Sequence, residues 1–413
     1  METIITFFPV DCGDMTLIAL GDKAKTTILI DCNIRAAADD SSDSTRDVAG
    51  DLRDRLNRDM NGRPYVDAFL LSHPDQDHCR GIRNHLYLGD PAEYPDDKKA
   101  DSEKRIFIRE LWSSPMVFRR ASKNHSLSED AKAINSEAKR RVSANRDSKF
   151  VGVGEGNRIL ILGEDEDGKT DQMGAILVRT DEIFTRVNGF ASNLFSARLL
   201  APLPKFDDDE VEEETLSKNH SSVVLNIELA ENESRWVLKN LLSGGDAEVA
   251  IWEQLWEKHE ESPEVLQYDI LQTPHHCSWH SLSYDSWSEK RNEGKVSESA
   301  KAALSQIRPN GIIVATSGPI KDDDNDPPCY GAKREYEEIV KTVGGTFRCT
   351  GEYPTADAPS PLEFKVSGGM ILEIVREFRR RAPAILTSGI IDAIGARGAE
   401  REPVRKEGTR RYA

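Results

Sequence analysis

Leu70-Leu71-Ser72-His73-Pro74-Asp75-Gln76-Asp77-His78 sets two histidines and two aspartates within six residues, directly after the apolar run Ala68 to Leu71. Apolar residues that stop at a polar, proline-containing cluster predict a short buried strand running into a loop. A strand end is a rigid platform, and the loop beyond it can turn several side chains onto one point. Imidazole nitrogen and carboxylate oxygen are the donors that hold divalent zinc, manganese or iron. Four such side chains at the mouth of an apolar strand are costly to bury without a metal or hydrogen-bond partners. The stretch therefore predicts a metal site, with two ions. One isolated His or Asp would more simply be a satisfied core residue or a turn cap; the spacing i, i+2, i+4 and i+5 argues against that here.

Working outward, Met1 to Phe8 is a first strand with neither a basic leader nor a cleavage site. Ile4 to Ile30 reads as a β-hairpin turning at Gly21-Asp22, and its last strand ends at Asp31. Val48, Leu52, Leu56 and Met60 recur at helical spacing, and a helix is expected to begin in Gly81 to Leu88. Residues 89–148 are strongly charged and read as an insertion holding a strand, Ile106 to Trp112, and a helix, Leu127 to Val142. An acidic loop follows between Lys205 and Leu216, too irregular for an EF-hand.

The second half repeats the logic of the first. Asn219-His220-Ser221-Ser222 precedes the strand Val223 to Ile227, strands end at Gly244-Gly245-Asp246 and at Thr273-Pro274-His275-His276-Cys277-Ser278, and a further strand is Ile312 to Ser317. Each of these loops carries residues of ligand type, although Asp246 taken alone is an ordinary helix cap. From Arg376 the composition turns to Arg, Gly, Ala and Glu, so residues 376–413 read as a basic, solvated tail behind one large domain, 1–375.

His-x-Asp-x-Asp-His after a short strand resembles the second motif of the metallo-β-lactamase superfamily. With Ser-His-Pro in front and Pro-His-His later, the chain is similar to the hydrolase domain of competence DNA-uptake proteins and to choline-esterase relatives. Asp11-Cys12-Gly13-Asp14 resembles a shortened form of a segment those hydrolases carry in their first hairpin. The chain departs from them in having Cys277 in place of glycine, and no histidine around Tyr330-Gly331.

The resemblance implies an α/β (α+β) fold, the four-layer αβ/βα sandwich, with a charged insertion. It implies two divalent ions, zinc or manganese: His73, Asp75 and His220 for one, Asp77, His78 and His275 for the other, with Asp246 bridging. Asp31 and Asp11 would lie behind these ligands, Asp77 would also orient the hydroxide, and His276 or His280 would hydrogen-bond the developing anion. The implied activity is that of a phosphodiesterase or nuclease using a hydroxide activated by two metals. The alternatives are hydrolysis of a small molecule (a cyclic nucleotide, a phosphocholine ester or a thioester) and a non-catalytic metal domain that binds a protein partner through the insertion or the tail.

Composition bounds these readings. A net charge of −17 repels nucleic acid at long range, which argues against a broad polyanion-binding face and suits a small substrate. No stretch approaches the roughly 18 apolar residues that cross a bilayer, so no membrane partner is expected. Six scattered cysteines without a CxxC pair predict free thiols and a reducing, cytoplasmic setting.

Overall fold

Ile4–Phe7, Thr16–Ala19 and Thr27–Ile30 form an antiparallel meander, and Thr27–Ile30 then pairs in parallel with Pro64–Leu71. This is the start of the larger of two mixed sheets in a computed structural model that describes residues 1–40, 42–115, 127–164, 168, 170–203 and 221–375. From Pro64–Leu71 the sheet continues in parallel through Ile106–Ser113, Arg158–Leu162 and Leu177–Val178. On its other side Ile4–Phe7 pairs antiparallel with Leu362–Ser367, which pairs with the edge strand Met370–Glu373. The second sheet runs in the order Ile183–Phe184, Phe195–Ala201, Val224–Asn232, Arg235–Ser243, Tyr268–Gln272, Ile307–Ala315 and Thr346–Cys349. It too is antiparallel in its first half and parallel from Arg235–Ser243 onward. The architecture is mixed α/β.

Strands such as Thr27–Ile30 are buried along their whole length, which is why they read as continuous apolar runs rather than alternating ones. One core cluster draws on both sheets: Phe7, Ile18, Ile30, Leu70 and Trp112 from the first, Phe195, Leu225, Ile227, Leu241 and Val314 from the second. Trp112 is its aromatic anchor, with ring centroids 5.2 Å from Phe184 and 5.8 Å from Phe195. Edge-on aromatic contacts of this kind add about 0.5–1.5 kcal/mol beyond their buried area. The other face of the first sheet meets Leu52 of helix Val48–Arg53 and Ile134, Ala138 and Val142 of helix Glu129–Asp147. The other face of the second sheet meets helices Val249–His259, Glu298–Leu304 and Tyr330–Thr342. Residues Met1–Ile374 form one compact unit.

One sequence expectation is corrected, the strand and helix expected within residues 89–148 are found, and one strand is added. The apolar spacing from Val48 to Met60 holds a helix only as far as Arg53. Asn57–Arg58 instead pairs with Pro64 and Tyr65 across a turn in which Gly62 has φ +72°, and this leaves Met60 fully exposed. Residues 89–148 are not appended to the domain, because Ile106–Ser113 is paired on both sides in the first sheet and Glu129–Asp147 covers its face. The helix that seals this face owes its start to Ser128, whose hydroxyl accepts from Ala131 N. Leu362–Ser367, which the sequence did not mark, closes the first sheet onto the N-terminal strand. The acidic loop between Lys205 and Leu216 and the tail 376–413 lie outside the described residues. All six cysteines are free, and no described helix is long and apolar enough to cross a membrane.

Candidate metal centre

Parallel pairing carries two chain segments side by side to the end of each sheet. In the first, Ile30 pairs with Leu70, so Asp31 and Ser72 emerge next to one another and Asp31 N donates to Leu70 O at 2.8 Å. In the second, Ser243 pairs with Gln272, so Asp246 and His275 follow adjacent strand ends and His275 N donates to Gly245 O at 2.9 Å. Ties between the two sheets bring these ends together: Val223 N donates to Ser72 O at 3.1 Å, and Thr16 Oγ1 to Gln272 Oε1 at 3.0 Å. Crevices beyond the carboxyl ends of parallel strands are where α/β proteins bind ligands.

Asp31 organises the first ligand loop. It is fully buried and accepts from Ser72 N at 2.7 Å and from Ser72 Oγ at 2.6 Å. His78 Nδ1 lies 2.8 Å from Asp31 Oδ2, and His73 Nδ1 lies 3.1 Å from Ser72 Oγ. Ser72 spends its proton on Asp31, so it accepts from His73. Both histidines thereby carry their proton on Nδ1 and turn an Nε2 lone pair inward, the tautomer being set by the partner of the other nitrogen.

Asp246 faces both Nε2 atoms. His73 Nε2 is 3.3 Å from its Oδ2, and His78 Nε2 is 2.9 Å from its Oδ1. His276 Nε2 adds a third nitrogen, 3.5 Å from Oδ1 and 3.1 Å from His78 Nε2. The contacts are close, yet His73 Nε2 and Asp246 Oδ1 are buried with no aligned hydrogen-bond partner. Acceptors facing acceptors in a dry cavity require positive charge between them. Two groups of donors result, each with its donor atoms within 4.8 Å of one another: His73, Asp75 and Asp246, and Asp14, His78, Asp246 and His276. The buried Asp/His cluster is therefore suited to hold metal.

The electrostatics express the same need. Burial and the His78 charge work against protonating His73, but Asp246 and Asp75 outweigh them and raise it to about 8. Burial likewise opposes the charged forms of His78 and His276, yet Asp246, with Asp31 for one and Asp14 for the other, lifts both well above the ordinary histidine range. Burial pushes the Asp246 carboxyl up, while His78, His276 and His73 hold it well below the carboxylate range. The carboxylates draw cations, and divalent ions can take the place of the extra protons.

The remaining sequence candidates fall as follows. Asp77 keeps about a third of its side chain exposed, with Oδ2 3.4 Å from His276 Nε2 at the mouth of the site. His275 lies outside both groups, its Nε2 3.9 Å from Asp246 Oδ2 and its Nδ1 4.0 Å from Glu248. His276 is the buried member of the pair, because the turn runs left-handed through His275, His276 and Cys277 at φ 48°, 52° and 68° and sends successive side chains apart. Such conformations cost on the order of 1–3 kcal/mol each in residues other than glycine and collect at functional sites. Cys277, where the resemblance has glycine, adopts the left-handed conformation that glycine favours.

His280 is half-buried and faces Asp326 at 3.8 Å, outside both groups. Asp11 is half exposed and bonds Arg35 at 2.6 Å, so it does not back the ligands. Asp14, three residues on, is the buried carboxylate that reaches the cluster. The sequence segment containing both was visible, but only the turn, which places Gly13 against Asn33 and Asp77, decides which aspartate points inward. His220 lies outside the described residues.

No protein-family model and no curated protein matches the chain.

Proposed function

We propose that the protein is a metal-dependent phosphodiesterase with the four-layer αβ/βα sandwich of the metallo-β-lactamase superfamily. The fold reading is supported by three cores, one shared by both sheets and one between each sheet and its own helices. The observation that carries the function is Asp246, whose two oxygens face two different histidines, His73 on one side and His78 on the other. A carboxylate so placed suits a bridge between two ions. His73 and Asp75 would hold one ion, His78 and His276 the other.

Paired divalent ions supply Lewis acidity and lower the pKa of water enough for attack at neutral pH. The chain's own residues do the rest. Asp31 and Ser72 hold the two histidine tautomers without reorganisation. Asp77, beside His276 at the mouth, is placed to accept a hydrogen bond from an incoming water. His275, partly exposed next to Asp246 and Glu248, can donate to an oxygen of the bound ester.

A second reading keeps this site and exchanges the substrate for a small-molecule ester. The charge of −17 favours it, since a nucleic acid would approach against the field of the whole molecule. The test incubates the protein, with Mn²⁺ or Zn²⁺, with bis-p-nitrophenyl phosphate, single-stranded and duplex DNA, RNA and cyclic nucleotides. Cleavage of a phosphodiester that disappears in Asp246→Ala is the expected result. Activity that survives this substitution would rule the bridging carboxylate out.

A further inference from the structure

We infer that Asp14 is a positioning residue for His276, the counterpart of Asp31 behind His78, and not itself a metal ligand; this rests on the metal reading of the site. Its carboxylate lies nearest the Nδ1 atoms of both rings, whereas Asp246 lies nearest their Nε2 atoms. Asp14 Oδ1 lies 3.3 Å from His276 Nδ1, and Asp14 Oδ2 lies 3.9 Å from His78 Nδ1, a nitrogen already engaged by Asp31 at 2.8 Å. The Nε2 atoms of the two rings meet 3.1 Å apart and next to Asp246 Oδ1. An ion held where the Nε2 atoms converge has Asp14 at the Nδ1 edge of the imidazoles.

The surroundings of Asp14 are built to hold it there. It is 1 % exposed, and the hydroxyl of Thr316, at the end of strand Ile307–Ala315, donates to Oδ1. Asp14 N donates to Asp77 O at 3.3 Å, which ties its backbone to the first ligand loop. Gly13 has no room for a side chain, since a Cβ would stand 1.9 Å from Asn33 Nδ2. A residue from the first hairpin, a hydroxyl from the second sheet and a histidine after Tyr268–Gln272 thus form one chain, Thr316–Asp14–His276. It has the order of Ser72–Asp31–His78, with the difference that His78 Nδ1 is hydrogen-bonded to Asp31 whereas His276 Nδ1, 3.3 Å from Asp14, is not aligned for a hydrogen bond until the ring is fixed by an ion. Carboxylates in this position fix ring orientation and raise ligand basicity, and their loss weakens metal binding by about ten- to a hundredfold.

The experiment is equilibrium dialysis of the full chain against Mn²⁺, counting ions per chain, for the unaltered protein and for Asp14→Ala, Asp14→Asn and Thr316→Val. Co²⁺-loaded samples add an absorption spectrum that reports the atoms bound to the ion. The expected result is the same number of ions and the same Co²⁺ spectrum throughout. Affinity should fall about ten- to a hundredfold in Asp14→Ala, and less in Asp14→Asn, whose carbonyl can accept from Nδ1–H. Should Asp14→Ala not fold, the near-isosteric Asn and Thr316→Val variants carry the same comparison. Loss of one whole ion or an altered spectrum on changing Asp14 would make it a ligand and overturn the inference. Unchanged affinity would overturn it as well. An unaltered protein that takes up no ion would instead defeat the metal reading on which it stands.

Discussion

Asp31 Oδ2 sits 2.8 Å from His78 Nδ1 and 2.6 Å from Ser72 Oγ, so one fully buried carboxylate sets the proton position on His78 directly and on His73 through the serine. Replacing it with alanine frees both rings to turn and strands the Ser72 hydroxyl. Asp31→Ala is expected to weaken binding of both ions by about ten- to a hundredfold, without loss of the donors themselves. A competition titration with a chelator of known affinity measures this. Undiminished affinity would remove Asp31 from the account.

Metal choice follows from the oxygen content of the site. Asp75 and Asp246 stand beside three imidazoles, a harder donor set than an all-histidine one, and hard donors lean towards Mn²⁺ over Zn²⁺. After treatment with chelator, Mn²⁺ should restore phosphodiester cleavage better than Zn²⁺, and the reverse order would count against the assignment. Either ion at about a hundred times its dissociation constant should stabilise the fold by roughly 2.7 kcal/mol. That increment is read as a rise in Tm that is much reduced in Asp246→Ala.

Gly13→Ala tests the turn that delivers Asp14. The added methyl would stand 1.9 Å from Asn33 Nδ2 and 2.7 Å from Asp77 O, and Asn33 is held by the carbonyls of Val10 and Cys12. Overpacking of this kind costs about 1–3 kcal/mol, measurable as a lower urea midpoint. The same change should loosen ion binding, because the displaced carbonyl belongs to the ligand loop.

Arg141 shows how far residues 89–148 belong to the core. Its guanidinium is fully buried, bonded to Glu137 at 2.7 Å and to the carbonyls of Arg158 and Ile108 at 3.0 and 3.1 Å. Arg141→Ala is expected to destabilise the protein by about 3–5 kcal/mol, as removing one member of a buried ion pair does. A loss below about 0.5 kcal/mol, the range of ordinary surface substitutions, would mark the segment as peripheral.

Acid should act through Asp96. Burial raises its carboxyl, but hydrogen bonds from Arg105 and Lys99 prevail and hold it at about 2 against an ordinary 3.8. A lowered native value means stability that is present above pH 3.8 and is lost as the pH falls through about 2. In Asp96→Asn that part of the acid dependence should vanish, so the difference in Tm between the two proteins narrows from pH 5 to pH 2. A constant difference would contradict the sign.

The first ligand loop is legible in the sequence because all its information is local: a strand, a proline and four donors in six residues. Asp246 is legible only in its order relative to that loop, since two glycines and an aspartate before a helix are commonplace. Two choices escape sequence reasoning for physical reasons. Asp11 and Asp14 have the same chemistry, and only the packing of Gly13 against Asn33 turns the second of them inward. His275 and His276 are neighbours, and the left-handed turn that buries one and leaves the other at the rim follows from contacts with Gly245 and Cys277 that propensity does not encode. Leu362–Ser367 was missed for a different reason. Its partner is Ile4–Phe7, at the far end of the chain, and no local pattern reports a pairing of that range.

That pairing of the first strand with Leu362–Ser367 has a consequence for biosynthesis. When His73 to His78 leave the ribosome, the carboxylate that joins the two halves of the site is still more than a hundred and fifty residues from being made. The strand that covers the N-terminal edge comes later again. The buried Asp/His cluster therefore forms only after Asp246 and His276 have both been made, and a chain cut short before Asp246 should lack it altogether.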